Sequence, residues 1–238
     1  MKVSAVSENA CLIQVGDHIS ESLTAVIAQL SENIEQTLGD ALIDLIPSYT
    51  TLLCVYDLNK VDDLWMLKTL RQIVQSVDST ENNSVTSIDY LGKSLSRLIE
   101  IPVWYDPEVG YDLEVMASDK QMTQSELIQL HTSKEYRVFA TGFMPGFAYM
   151  GSVDTALATP RQATPRKAVA AGSVGIADIQ TSVYPAQSPG GWNIIGRSPT
   201  QLFDISRGDN AALLQVGDRV QFVSVDRATF IELGGQLG

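Results

Sequence analysis

Glycine and proline crowd one stretch of the chain, Gly142-Phe143-Met144-Pro145-Gly146-Phe147-Ala148-Tyr149-Met150-Gly151, and stay dense as far as Gly196-Arg197-Ser198-Pro199. Proline fixes φ and removes a backbone donor, while glycine admits φ > 0 and lets other atoms approach the main chain closely. A segment that uses both, with aromatic residues between them, specifies a shaped loop surface rather than a plain core. Around it, from Tyr136 onward, only short β-like runs occur: Tyr136–Ala140, Ser173–Ala177, Asn193–Ile195, Ala212–Leu214 and Arg219–Val225. Turn residues separate them, which predicts a compact β-barrel.

The first third of the chain reads differently. Val3–Val6 and Cys11–Val15 alternate as two strands about a turn at Ser7-Glu8-Asn9. Ser20 is placed as an N-cap, Leu23, Val26, Ile27, Leu30, Ile34 and Leu38 recur at helical spacing, and Gly39 closes the helix. Ala41–Ile46 and Thr51–Tyr56 read as strands, followed by a second amphipathic helix carrying Leu64, Leu67, Leu70, Val74 and Val77. Two helices on one face of a small antiparallel sheet give an α+β domain of roughly ferredoxin-like type, a scaffold or a docking surface. The polar break Ser79-Thr80-Glu81-Asn82-Asn83-Ser84 is the linker candidate, so the expected domains are residues 1–83 and 84–238. Beyond it, Pro102 marks the strand near Leu98–Tyr105 as an edge or a strand start. Thr123-Gln124-Ser125-Glu126 is a capping box for a short helix ending near His131.

Composition narrows the function. A net charge of −12 over 238 residues argues against nucleic acid or anionic membrane as partner. No apolar run is long enough to span a bilayer, and the Met1-Lys2-Val3-Ser4 start lacks a signal-peptide apolar region, so a cytoplasmic protein is expected. Cys11 and Cys54 lie in strand-like apolar stretches and read as buried free thiols. With two cysteines and two histidines, no zinc ligand set is credible and no metal site is expected.

Between Phe143 and Phe203 the cations Arg161, Arg166, Lys167 and Arg197 outnumber the anions Asp154 and Asp178, against the trend of the whole chain. Thr159-Pro160-Arg161 and Thr164-Pro165-Arg166 repeat one design, a stiffened backbone just before a guanidinium. Arginine suits planar carboxylate or phosphate because its donors form a fixed fork; the same residues equally serve as rim ion pairs or carbonyl caps. Ser188-Pro189-Gly190-Gly191-Trp192 can gather backbone N–H groups into an anion-accepting nest, with Trp192 as an apolar wall. Gln180 and Tyr184 flank it and can hydrogen-bond an amide or carboxylate, or satisfy buried backbone. His131 is the one histidine of this half and the candidate for proton transfer, although a helix end also calls for a carbonyl cap. No phosphate loop, nucleophile elbow or His-Glu-x-x-His motif occurs, and Ser173 in Ala171-Gly172-Ser173-Val174-Gly175 has no histidine near it in sequence.

Taken together, the Gly142–Gly151 stretch, Pro160-Arg161, Pro165-Arg166, Ala171-Gly172-Ser173-Val174, Gln180-Thr181, Val183-Tyr184-Pro185, Ser188–Trp192 and Ile195–Pro199 resemble the 5-oxoprolinase B-subunit family. That family is also labelled allophanate hydrolase subunit 1 and includes a sporulation histidine-kinase inhibitor. The resemblance runs from about Ile99 to Phe222 and covers the first domain only loosely. It implies a cyclophilin-like β-barrel and one component of an enzyme that acts with A-type and C-type partner chains. Their joint reaction opens 5-oxo-L-proline to L-glutamate with ATP as co-substrate, and the single chain is expected to be silent. It equally implies two alternatives, an inhibitor of a sensor histidine kinase and a component of a related allophanate- or urea-type amide hydrolase. The expected site comprises His131, Arg161 and Arg166 as catalytic groups. Phe143, Pro145, Gly146, Phe147, Gln180, Tyr184, Gly190, Gly191, Trp192 and Arg197 are expected to contact substrate. Ala170 departs from the family's usual proline, and Asp178 and Ser182 from its usual glycines; serine suits a left-handed backbone poorly, so a different loop shape is expected around Gln180.

Overall fold

A strand-hairpin-helix order repeated twice builds the first part of the chain. The computed structural model describes residues 1–81 and 97–237, and the chain divides into two units, Met1–Ser96 and Arg97–Gly238. The expected boundary at 83/84 and the later part of the expected linker lie outside the described residues.

In the first unit β1 (Lys2–Ser7) and β2 (Ala10–Gln14) precede α1 (Glu21–Leu38), and β3 (Leu42–Ser48) and β4 (Thr51–Tyr56) precede α2 (Asp63–Glu81). The strands pair antiparallel in the order β1-β2-β4-β3. Thus β2 and β3 run parallel with β4 between them, and α1 is the crossover that links them. The outer place beside β2 is filled by β1, which comes before the crossover in sequence. Alternation sends Cys11, Ile13, Leu52, Cys54 and Tyr56 to one face, where they pack on Ile27, Leu30 and Ile34 of α1 and on Met66, Leu70 and Val77 of α2. Each such large side chain buried contributes about 1.5–3 kcal/mol. Leu64, expected on the apolar face, is exposed instead, and Met66 takes its place in the core. Cys11 and Cys54 are free, buried and directly opposite one another in the ladder; burial pushes the Cys54 thiol up to about 12.

The second unit is a closed ring of seven strands. β5 (Leu98–Trp104), β6 (Glu135–Thr141), β7 (Ala148–Gly151), β9 (Ser173–Ala177), β10 (Gln180–Val183), β12 (Asn193–Arg197) and β13 (Arg219–Val225) follow the order β6-β13-β5-β12-β9-β10-β7, and β7 returns to β6. An odd-numbered ring cannot be antiparallel at every junction. The one parallel junction joins β5 to β13, the first and last of these strands, over seven register pairs. Val103, Tyr136, Val138, Met150, Ile176, Val183, Ile195 and Phe222 fill the interior. Leu113 and Met116 of α3 (Leu113–Asp119) and Leu127 of α4 (Gln124–Thr132) belong to the same cluster. The expected capping box at Thr123 is complete, with both reciprocal bonds to Glu126. A last helix, α5 (Arg227–Glu232), starts at an Asp226 cap.

Two expectations are corrected. Pro102 sits within β5, between β12 and β13, rather than at an edge; β12 meets β5 at the single pair Arg197–Trp104, which leaves β5 edge-like along that side and tolerant of a missing donor. Ala212–Leu214 forms no strand, only an isolated bridge from Ala212 to Phe203. The closed mixed barrel with added strands and helices fits the cyclophilin-like expectation.

Candidate functional site

The outer face of the barrel, not its interior, gathers the Gly/Pro-rich residues. Because Val174, Ile176, Thr181 and Val183 point inward, alternation turns Gly175, Ala177, Gln180, Ser182 and Tyr184 outward on β9 and β10. Glycine and serine there leave space that aromatic side chains fill. Trp192 lies directly over Gly175, where an added Cβ would come within 3.1 Å of the Trp192 Cβ. The Phe147 ring packs edge-on against Tyr149, Tyr184 and Trp192 at centroid distances of 4.8, 5.5 and 5.7 Å. Phe143, held at φ 70 beyond Gly142, is 61% exposed and extends this floor at 5.3 Å from Phe147. Pro145 lies exposed in the same loop, and Gly146 at φ 82 lets the loop close onto Leu202 and Phe203.

A small two-stranded sheet overlies this floor: β8 (Arg166–Val169) pairs antiparallel with β11 (Ser188–Gly190), Gly190 opposite Arg166. Ser188–Gly190 is therefore a strand, with Gly191 and Trp192 just beyond it, and the segment is not a nest. Gly190 and Gly191 are not at positive φ, and a nest needs alternating left- and right-handed residues. Gly190 is required for close approach instead, since a Cβ there would stand 2.3 Å from the Tyr184 hydroxyl. Tyr184 is buried, its hydroxyl hydrogen-bonded to the Trp192 backbone; burial raises the phenol, and the Arg161 charge partly offsets that.

The three arginines fare differently. Arg166 Nη2 lies 2.6 Å from Asp112 Oδ1, and its guanidinium stacks 5.8 Å from the Tyr111 ring. Asp112 also accepts from the Ile194 amide at 2.6 Å and from Gln162 Nε2 at 3.2 Å, so its charge is fully committed. Arg197 is buried, donating to the Tyr111 hydroxyl at 2.8 Å and the Gln236 carbonyl at 3.2 Å. Arg161 is exposed, and among the described residues its guanidinium forms no ion pair or hydrogen bond; it lies 5.9 Å from the Trp192 ring. Its neighbours are pinned: the Pro160 carbonyl accepts from Asn193 Nδ2 at 2.9 Å, and the Gln162 amide donates to the Gly191 carbonyl at 2.7 Å.

His131 is not part of this face. It is fully buried inside the barrel, stacked on Phe222 at 4.5 Å, with Nδ1 2.7 Å from the Tyr105 hydroxyl and Nε2 2.9 Å from Thr181 Oγ1. One proton arrangement satisfies the chain: Tyr105 donates to Nδ1, Nε2 donates to Thr181, and Thr181 donates to the Gly175 carbonyl at 3.1 Å. Burial lowers the imidazole to about 3, so it stays neutral and structural. Gln180 shares the outer face with Tyr184 but stands at the opposite end of β10, about 13 Å away. Asp178 takes the left-handed conformation at φ 53, as a glycine would. Ser182 does not; it is extended in β10 and its hydroxyl donates to the Ala148 carbonyl at 2.7 Å, so its departure from glycine carries no backbone strain. Tyr111, Asp112, Gln162 and Asn193 join the site without any sequence signal. No local motif marks them, because their side-chain partners lie 17 to 86 residues away.

This face is a barrel exterior with an aromatic floor, and the Arg161 guanidinium stands beside Trp192 at its edge. Residues 1–214 match the family described as carboxyltransferase domain, subdomain C and D. The chain is 35% identical to the 5-oxoprolinase B subunit of Bacillus subtilis over 235 residues, 96% of this chain and 95% of that one. It belongs to the 5-oxoprolinase B-subunit family. The crystal structure of TTHA0988 superposes with a TM-score of 0.74 at 32% identity over 91% of this chain, which spans only 40% of that longer chain. Urea carboxylase of Kluyveromyces lactis shares the fold at 16% identity, with a TM-score of 0.73 over 97% of this chain and 22% of that one.

Proposed function

We propose that this protein is the B component of an ATP-dependent 5-oxoprolinase, which opens the lactam of 5-oxo-L-proline with water to give L-glutamate. The observation that supports this reading best is the identity to a protein of that name along nearly the whole of both chains. The aromatic floor suits the flat ring of a lactam, and the guanidinium at its edge suits the charge that the substrate carries and the reaction develops. Catalysis belongs to a cytoplasmic complex with A-type and C-type partner chains, and this chain alone is silent. The outer face offers donors and an apolar wall without a nucleophile–base pair, since His131 is committed inside the barrel. ATP is the co-substrate of the complex, and with no phosphate loop in its sequence this chain alone is a weak candidate for binding it. The first unit, read as a ferredoxin-like module whose last strand is supplied by β1, is scaffold or docking surface.

A related allophanate- or urea-type amide hydrolase is the second reading, favoured by the likeness to urea carboxylase, which at that identity carries fold alone. Co-purification with candidate A-type and C-type partners, followed by assay of ATP-dependent glutamate release from 5-oxoproline and of ammonia release from allophanate, tests both. Glutamate release by the complex and not by the single chain is expected. Release from allophanate alone would move the assignment to the second reading.

A further inference from the structure

The cations of the outer face divide into two kinds. Arg166 has its charge met by Asp112 at 2.6 Å, and Arg197 is buried with its terminal donors spent on the Tyr111 hydroxyl and the Gln236 carbonyl, although its Nε finds no acceptor among the described residues. Arg161 has neither an anion nor an acceptor among the described residues, yet it is not a loose surface residue. Both of its chain neighbours are hydrogen-bonded to the Gly191–Asn193 segment, so the backbone that carries it is fixed relative to Trp192. A guanidinium held over an aromatic ring, pre-positioned and without an internal counter-charge, is suited to a ligand that brings its own anion. Asp112, the carboxylate of the network, is engaged by Arg166 and the Ile194 amide and is not paired with Arg161.

We propose that Arg161 recognises the carboxylate of the substrate by its guanidinium fork while the ring of that substrate lies against Trp192. Arg166 is a positioning residue, fixed by Asp112 to hold the small β8–β11 sheet over the floor. The identity of the substrate rests on the oxoprolinase reading; the assignment of the two arginines does not. The lactam oxygen, being uncharged in the ground state, gives Arg161 little to bind, so the carboxylate is what Arg161 selects.

The test is direct binding to the intact chain, followed by tryptophan emission, with Trp192→Phe identifying the reporter. The probes are 5-oxo-L-proline and 2-pyrrolidinone, the same lactam ring without the carboxylate. Wild type is expected to bind 5-oxoproline saturably and at least tenfold more tightly than 2-pyrrolidinone. Arg161→Ala should remove that preference with an unchanged melting temperature, and Arg161→Lys should restore it in part, because the charge returns without the fork. Equal binding of the two lactams, a preference that survives Arg161→Ala, or no saturable binding by wild type would overturn the proposal. An Arg161-dependent preference in a chain whose complex releases no glutamate would remove the oxoprolinase reading and leave this one standing. Glutamate release with Arg161-independent binding would do the reverse.

Discussion

Asp112 and Arg166, 54 residues apart in the chain, meet at 2.6 Å, and through this contact the start of α3 is tied to the two-stranded sheet that covers the aromatic floor. The same carboxylate takes the Ile194 amide, so three segments converge on it.

Arg166→Ala leaves the largely buried Asp112 carboxylate without its cation. Loss of a charged hydrogen bond with its partner stranded costs about 2 kcal/mol, or about 4–8 °C at this chain length. Thermal unfolding is expected to show that drop for Arg166→Ala and none for Arg161→Ala. Equal melting temperatures for the two variants would refute the division between strut and free cation.

Much of this is open to reading from the sequence where the signal is local. The capping box at Thr123, the strands Ser173–Ala177 and Arg219–Val225, and the close of α1 at Gly39 depend on neighbours in the chain and stand where expected. The helix α3 has no such signature, because Asp112, its N-cap, spends its carboxylate on Arg166 instead of capping. The strands β8 and β11 look like turns because proline and glycine fill them, and only pairing with each other makes them strands. For the site, residues singled out by type, Phe143, Phe147, Tyr184, Trp192 and Arg161, gather on one face of the barrel. What each arginine does is not legible, because a counter-charge 54 residues away leaves no trace in local spacing.

Gly190 and Gly191 are predicted to differ. A Cβ at Gly190 would collide with the Tyr184 hydroxyl at 2.3 Å, whereas at Gly191 the nearest atom is 3.6 Å away. Gly190→Ala should lower stability by about 1–3 kcal/mol, the usual cost of overpacking. Gly191→Ala should be close to neutral. Denaturant midpoints measure both, and equal midpoints would contradict the close-approach role of Gly190.

His131 predicts an acid-sensitive fold. Burial holds its imidazole at about 3, against 6.5 for the free group. Below pH 6.5 the unfolded chain takes up a proton that the folded chain refuses. The stabilising contribution is therefore complete above pH 6.5 and drains as the pH falls towards 3, by up to about 1.4 kcal/mol per unit. Between about pH 6.5 and 5, before most carboxylates titrate, urea midpoints should fall more steeply for wild type than for His131→Gln. Parallel profiles would show that the buried ring does not govern this range.

The most direct test of the account is turnover of the reconstituted complex, with A-type and C-type partner chains and ATP, containing wild-type, Arg161→Ala or Arg166→Lys protein. The account predicts glutamate release from 5-oxoproline by the wild-type complex. Release should fall at least tenfold in kcat/KM with Arg161→Ala, at an unchanged melting temperature, and be largely retained with Arg166→Lys, which keeps a cation beside Asp112. Full activity of the Arg161→Ala complex, or none from the wild-type complex, would contradict it.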